Sequence, residues 1–282
     1  MKDEIISKVS DALIRASATF REDLVQAYKH AIESEKGSKA KWVLETILEN
    51  ALVAERNKSP LCDDTGIPHL FIEIGKNRQI SGEMIENIKL GVAEGLRKLP
   101  GRPMAVLGED LQRIDQSIGL SSDPHAVEPT PILLKTVDED VLRVNILMHG
   151  GGPEIRAKTY RIFHKHDTDV VRDEIINWAS QSASELGCTP CTLAIGIGRS
   201  HYEATSLMIE AQVYGRFDVQ SDFEKEITKG VNESKVGALG LGGKTTTLAT
   251  FVKVGPQRAS GVRIVCMRPC CCVEPRLASV EL

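Results

Sequence analysis

Aromatic residues are scarce in this chain, at 4% of 282 residues. So few rings cannot build the stacking platform that grips single-stranded nucleic acid. A basic field is missing too: the net charge is −4, which gives no electrostatic footprint for nucleic acid. No apolar run approaches the roughly 20 residues a membrane-spanning helix needs. Met1-Lys-Asp-Glu-Ile-Ile lacks the apolar core of a signal peptide. The chain therefore reads as cytoplasmic, with no membrane and no nucleic-acid partner. It has no internal repeat, no low-complexity linker and no sharp shift in composition. Its 41% hydrophobic and 26% charged residues are ordinary for a globular protein long enough to bury a large core.

Cysteine is present in an odd number: Cys62, Cys188, Cys191, Cys266, Cys270, Cys271 and Cys272. In a reducing compartment that excludes a disulfide framework and favours metal or redox chemistry, or plain burial. A structural zinc site wants four ligands as two tight pairs, and Cys188–Cys191 and Cys266–Cys270 approach that spacing. Cys188-Thr-Pro-Cys191 also has the spacing of a redox pair, without a thioredoxin-like surround. Iron–sulfur ligation normally uses four thiolates. With three, one iron would stay open as a Lewis acid. Spacing leaves these options open.

Helical periodicity runs through residues 1 to about 57, with Ile5, Val9 and Leu13, then Leu24, Val25 and Tyr28, then Val43, Ile47 and Leu52 on successive stripes. Ser59-Pro-Leu-Cys-Asp-Asp-Thr-Gly-Ile-Pro-His69 breaks the pattern, placing a thiol, two acids and a hydroxyl at a turn before the strand-like Leu70–Gly75. A helix over 84–96 and a long irregular segment over 107–131 follow, and loops of that length are often functional. Residues 132–137 and 141–148 read as two strands paired around Asp138-Glu-Asp140. His149-Gly-Gly-Gly-Pro153 permits close backbone approach to an anion. A helix over 167–186 ends at Gly187, and 192–197 is an apolar strand. Residues 215–235 read as a solvated helix and loop. Thr245–Val254 and Gly261–Val265 complete the strands, before the cysteine run and a short polar tail. Gly243-Lys244-Thr245 resembles the end of a phosphate-binding loop, but the glycine needed five residues earlier is Ala238. The expected fold class is α/β, a helical N-terminal layer (about 1–57) packed on a mixed sheet in a single large domain over 1–282.

The ordered set of motifs resembles the α-subunit, or N-terminal part, of class I (iron–sulfur) fumarases and L-tartrate dehydratases. Cys62-Asp-Asp-Thr-Gly66 looks like that family's Cys-Gln-Asp-Thr-Gly, and Arg102-Pro-Met-Ala-Val106 like its Arg-Pro-Asn-Ala-Val. Pro129-Thr-Pro131 falls at its Asn-Thr-Pro, and His149-Gly-Gly-Gly152 at its Lys-Gly-Gly-Gly. Cys188-Thr-Pro with Ala194-Ile-Gly-Ile-Gly198 looks like its Cys-Pro-Pro and Val-Gly-Ile-Gly. Gly240-Leu-Gly-Gly-Lys-Thr-Thr246 matches its glycine–lysine loop.

The resemblance implies a [4Fe–4S] cluster on three cysteines: Cys62, Cys188 and Cys270, with Cys271 the alternative third ligand. Cys191, Cys266 and Cys272 are then not ligands. It implies that Asp64 supports proton transfer, and that Asp63, Arg102, Gly151 and Gly152 contact substrate, the arginine through a substrate carboxylate. The implied reaction is reversible loss of water from a 2-hydroxy dicarboxylic acid: a fumarate/malate pair, tartrate or a methylated relative. It also implies a hetero-oligomer with a β-subunit, the family's C-terminal part. Two departures bear on substrate. Asp63 stands where the family has an amide, and His149 where it has a lysine. The reading from another class is a noncatalytic iron–sulfur or zinc sensor.

Overall fold

The computed structural model describes residues 2–102 and 104–282. In chain order the helices are α1 (Lys2–Ala18), α2 (Glu22–Ser34), α3 (Ser38–Arg56), α4 (Gly82–Lys98), α5 (Asp110–Asp115), α6 (Gly151–Glu154), α7 (Thr168–Leu186), α8 (His201–Tyr214) and α9 (Asp222–Asn232). The strands are β1 (Ile67–Gly75), β2 (Leu133–Val137), β3 (Leu142–His149), β4 (Lys158–Phe163), β5 (Cys191–Gly198), β6 (Thr247–Val254), β7 (Val262–Cys270) and β8 (Leu277–Glu281). The α/β class is as expected. The strands form two mixed four-stranded sheets, and the chain divides into two compact units.

The first unit comprises the chain up to Thr19, Val53–Gly151 and Arg276–Leu282. Its sheet has the order β2-β1-β3-β8. In α1, Ile5, Val9, Ala12, Leu13 and Ala16 recur at helical spacing and are buried, and Asp3 and Glu4 in the first turn suit the positive end of the helix dipole. They pack on Ile88, Val92 and Leu96 of α4 and on Ile72, Val144 and Ile146 of the sheet. The two helices cross closely because α4 offers glycine there. A Cβ on Gly91 would stand 2.6 Å from Val9 Cβ.

The expected pairing of residues 132–137 with 141–148 is corrected by the sheet. β1 lies between them, parallel to β2 (Phe71 opposite Leu133) and antiparallel to β3 (Ile72 opposite Val144). The connection from β2 to β3 crosses the end of β1, where Gly75 N–H donates to Val141 O (2.7 Å). A Cβ on Gly75 would meet Glu139 O at 2.3 Å, so glycine makes the crossing feasible. The expected polar tail is instead β8, paired antiparallel with β3.

The second unit comprises Phe20–Leu52 and Gly152–Pro275. Its sheet has the order β4-β7-β5-β6, with β5 parallel to β6 and antiparallel to β7. Every residue of β5 is buried, as a central strand covered on both faces requires. Val171, Ile175, Trp178 and Ala183 of α7, with Ile227 and Val231 of α9, pack on Leu193, Ile195, Val265 and Met267. Residues 215–235, read as solvated, thus bury one face of α9. Among the described residues no helix is long and apolar enough to cross a membrane.

Candidate active site

In the first unit, the loop between α3 and β1 gathers the acids read from the sequence. Leu61 N–H donates to Ser17 O (2.9 Å), fixing the loop's entry. Cys62 follows, half-buried, its Sγ 3.9 Å from Asp63 Oδ1. The Asp64 carboxylate accepts from Gly66 N–H at Oδ1 (3.2 Å) and from Gly151 N–H at Oδ2 (2.7 Å). Two backbone donors, one from its own turn and one from the glycine run after β3, therefore fix its orientation. Gly66 makes the turn with φ of +86°.

Arg102 comes to the same place. Its backbone O accepts from Thr65 Oγ1 (3.0 Å) and its Nη1 lies 3.2 Å from Asp63 Oδ2. A Cβ on Gly101 would sit 2.3 Å from Thr65 Oγ1, so this approach also needs glycine. Pro103 of the Arg-Pro-Met-Ala-Val motif lies outside the described residues. Cys62, Asp63, Asp64, Arg102 and Gly151 are thus brought together. His149, at the end of β3, is buried and stacks on His69 with ring centroids 4.0 Å apart.

The residue that ties this loop down was not anticipated. Arg276 is 2% exposed. Its Nη1 donates to Asp64 O (2.8 Å) and Thr65 O (3.4 Å), and its Nε to Met148 O (3.1 Å). One guanidinium thereby clamps the acidic loop to the end of β3. From the sequence it is one charge in a polar tail. The signal available was its place just before the alternating Ala278-Ser-Val-Glu-Leu282, a strand pattern.

The second unit holds the remaining candidates. Gly152 begins it, in the first turn of α6, where a Cβ would meet nothing within 4 Å. Cys188 is exposed in the turn between α7 and β5. Cys191 and Cys266 are buried in strands, and burial pushes both thiols up, Cys191 to about 12. Cys270 is fully buried at the end of β7. Its Sγ lies 3.2 Å from Arg268 Nη1 and 3.5 Å from Gln212 Oε1, and burial raises its pKa strongly. Arg268 is itself fully buried, between Glu274 (Nη1 to Oε2, 2.7 Å) and Glu154 (Nε to Oε1, 2.6 Å). Glu274 Oε2 also accepts from Cys271 N–H (3.2 Å). Cys272 is half-buried and its carbonyl accepts from Tyr28 Oη (2.8 Å). Burial first, then the nearby thiols of Cys272, Cys271, Cys191 and Cys188, push the Tyr28 phenol well above its ordinary range. The second unit therefore sets the Cys272 carbonyl against Tyr28 and directs the Cys270 thiol toward Arg268 and Gln212. Among the described residues, no three His, Cys, Asp or Glu side chains stand as a ready-made metal site.

The glycine–lysine loop over 240–246 already cradles an anion, and that anion is internal. Glu35 Oε2 accepts from Lys244 N–H (2.6 Å), and Oε1 from Gly37 N–H (3.0 Å). A Cβ on Gly243 would lie 2.9 Å from Glu35 Oε2. Burial disfavours the charged carboxylate, yet the backbone donors of Gly37, Lys244 and Lys36 outweigh it and hold Glu35 below its usual pKa. A carboxylate of the chain stands where a phosphate-binding loop would hold its ligand.

A family model described as fumarate hydratase (Fumerase) matches residues 6–281. The "Putative L(+)-tartrate dehydratase subunit alpha" of Methanocaldococcus jannaschii is 28% identical, the match covering 92% of this chain and 94% of that protein. The "Putative fumarate hydratase class I" of Geobacillus stearothermophilus is 27% identical over 89% of this chain but 50% of its own length. The L(+)-tartrate dehydratase subunit alpha of Escherichia coli (strain K12) is 21% identical, over 95% of this chain and 89% of that one.

Proposed function

We propose, for a chain that belongs to the fumarate hydratase (Fumerase) family, that it is the α-subunit of an iron–sulfur hydro-lyase acting on a 2-hydroxy dicarboxylic acid. The observation that carries this reading is the Asp64 carboxylate, held by two backbone N–H groups in the loop that also carries Cys62 and whose Asp63 pairs with the Arg102 guanidinium. Dehydration of such an acid needs a proton acceptor for the carbon next to the carboxylate, and a cation for that carboxylate. Asp64 and Arg102 have those chemistries. Asp63 does not block the role of Arg102. The pair is exposed on both sides, so it is worth at most about 1 kcal/mol, and a substrate carboxylate that binds both guanidinium arms displaces it. Asp64 receives the proton at an oxygen already aligned by Gly66 or Gly151, so no side chain must reorient during transfer.

The donor set fits an iron–sulfur group. Cys62 and Cys272 are half-buried and Cys188 is exposed, all three outside helices and strands. We take Cys62, Cys188 and one thiol of the 270–272 run as the cluster ligands. Within that run the Cys270 thiol is enclosed by Arg268 and Gln212, Cys271 is buried and Cys272 is half-buried. When bound, a cluster with one iron open supplies a Lewis acid that makes hydroxide a better leaving group. The partner is a β-subunit. Two relatives are named as α-subunits, and the single-chain relative is matched over 50% of its length.

Anaerobic iron and sulfide content tests the assignment. Wild type is expected to hold about four irons per chain. Cys62→Ser and Cys188→Ser lose them, and so does one, and only one, of Cys270→Ser, Cys271→Ser and Cys272→Ser. Iron retained in all three variants of the run would place the third ligand outside it. No iron in reconstituted wild type would remove the hydro-lyase reading and favour the bland use of these thiols as buried apolar groups.

A further inference from the structure

Residues 105–121 of the first unit form a flap closed at its base. Val106 and Leu120 make an antiparallel bridge, Leu107 N–H donates to Gly119 O (2.9 Å), and Ser121 N–H donates to Ala105 O (2.9 Å). Within it, Glu109 N–H donates to Gln112 Oε1 (3.0 Å) at the start of α5. Gly108 and Gly119 turn the chain at φ of +106° and +91°. The flap is therefore an organised element. Yet it turns five large apolar side chains outward: Leu107, Leu111, Ile114, Ile118 and Leu120 are 41%, 77%, 80%, 53% and 52% exposed. Leu111 and Ile114 stand three apart on α5, the spacing of one helix face. A surface seldom collects so many large apolar side chains without a partner to cover them.

The rim of the patch indicates which kind of partner. Glu109, Asp110 and Asp115 flank the stripe against one cation, Arg113, which pairs with Asp110. Hydrogen bonds from Ser117 hold Asp115 below the usual carboxylate range, so it is charged at neutral pH. Two negative charges remain uncompensated within the flap. A two-fold contact between copies would set these like charges against each other. The complement is an apolar face with a basic rim on a different chain.

We propose that this flap docks the β-subunit, through a matching apolar face rimmed by Lys or Arg. The inference rests on the reading of the chain as an α-subunit. It adds a consequence for the site: the flap begins three residues after Arg102, so docking would steady the segment that carries the arginine.

The test measures binding of the β-subunit to the full chain by titration calorimetry, with self-association followed by light scattering. Leu111→Asp/Ile114→Asp is expected to weaken binding by at least about 100-fold, the scale of central interface side chains. Asp115→Lys is expected to weaken it less and to flatten its salt dependence. Leu134→Asp alters an apolar side chain on β2 that is 56% exposed, and it should bind as wild type does. Because the flap side chains are exposed, the unfolding midpoint of each variant should match wild type. A wild-type chain that binds the β-subunit, with flap variants binding within threefold, overturns the proposal alone. A wild-type homodimer abolished by the double variant also overturns it, since a second copy is then the occupant. A wild-type chain that binds no β-subunit overturns the α-subunit reading and this proposal together.

Discussion

Replacing Arg276 by Met should loosen the candidate site without touching any acid or thiol in it. The guanidinium is 2% exposed and donates to Met148 O, Asp64 O and Thr65 O. Methionine fills most of its volume and donates nothing. Hydrogen bonds from a charged group contribute about 1.5–3 kcal/mol each, and such losses are not additive. The Thr65 contact, at 3.4 Å, is the weakest. Counting the two shorter bonds in full gives a cost of about 3–6 kcal/mol. Arg276→Lys keeps the charge but presents a point donor instead of a fork, so roughly half the loss should return. Both tryptophans, Trp42 and Trp178, lie in the second unit and would miss the effect. Hydrogen exchange over residues 60–70 and 145–151 reads it instead, with circular dichroism in urea. Exchange there should accelerate in the methionine variant while β5 and β7 stay protected. Unchanged exchange over 60–70, with a midpoint shift below about 0.5 kcal/mol, would refute the idea that Arg276 holds the acidic loop.

Two further outcomes follow from single contacts. Asp63→Gln removes the acid that pairs with Arg102 and restores the amide of the related motif, so KM for a dicarboxylate should fall several-fold with kcat little changed. An unchanged KM would mean that Arg102 does not meet the substrate. Glu35→Gln concerns pH. The folded-state pKa of Glu35 lies below its ordinary 4.5. Its ionised form therefore stabilises the fold above about pH 4.5, and that contribution fades as pH falls through the lowered value. The stability gap between wild type and Glu35→Gln, followed by tryptophan fluorescence in urea, should be widest near neutral pH and close in acid. A gap that widens toward pH 3 would contradict the assignment.

Much of this was legible from local pattern. The stripes of α1 and α4, the apolar run of β5 and the turn glycines at 66 and 187 carry their structure in their spacing. The cluster of Cys62, Asp63, Asp64, Arg102 and Gly151 was legible as motifs. What spacing could not show is contact between residues distant in the chain. β1 separates β2 from β3 although those two are joined by a short turn, because the crossing depends on the missing side chain of Gly75. β4 went unread because Lys158-Thr-Tyr-Arg-Ile-Phe163 mixes charge with apolar residues. The burial of Arg268 and Arg276 went unread, because it depends on partners at 114 and 128 residues' distance in sequence. Consecutive cysteines give no period from which to read which way each of Cys270, Cys271 and Cys272 faces, so the contact of Arg268 with the Cys270 thiol was not legible.

The central claim is that Asp64 moves the proton in a hydro-lyase reaction. The most direct measurement is anaerobic turnover of malate and of tartrate by the chain assembled with its β-subunit, for wild type and Asp64→Asn, with iron content determined in parallel. The account predicts that Asp64→Asn keeps its iron while kcat falls by about 10²–10⁴-fold. Turnover in Asp64→Asn equal to wild type at equal iron content would contradict it.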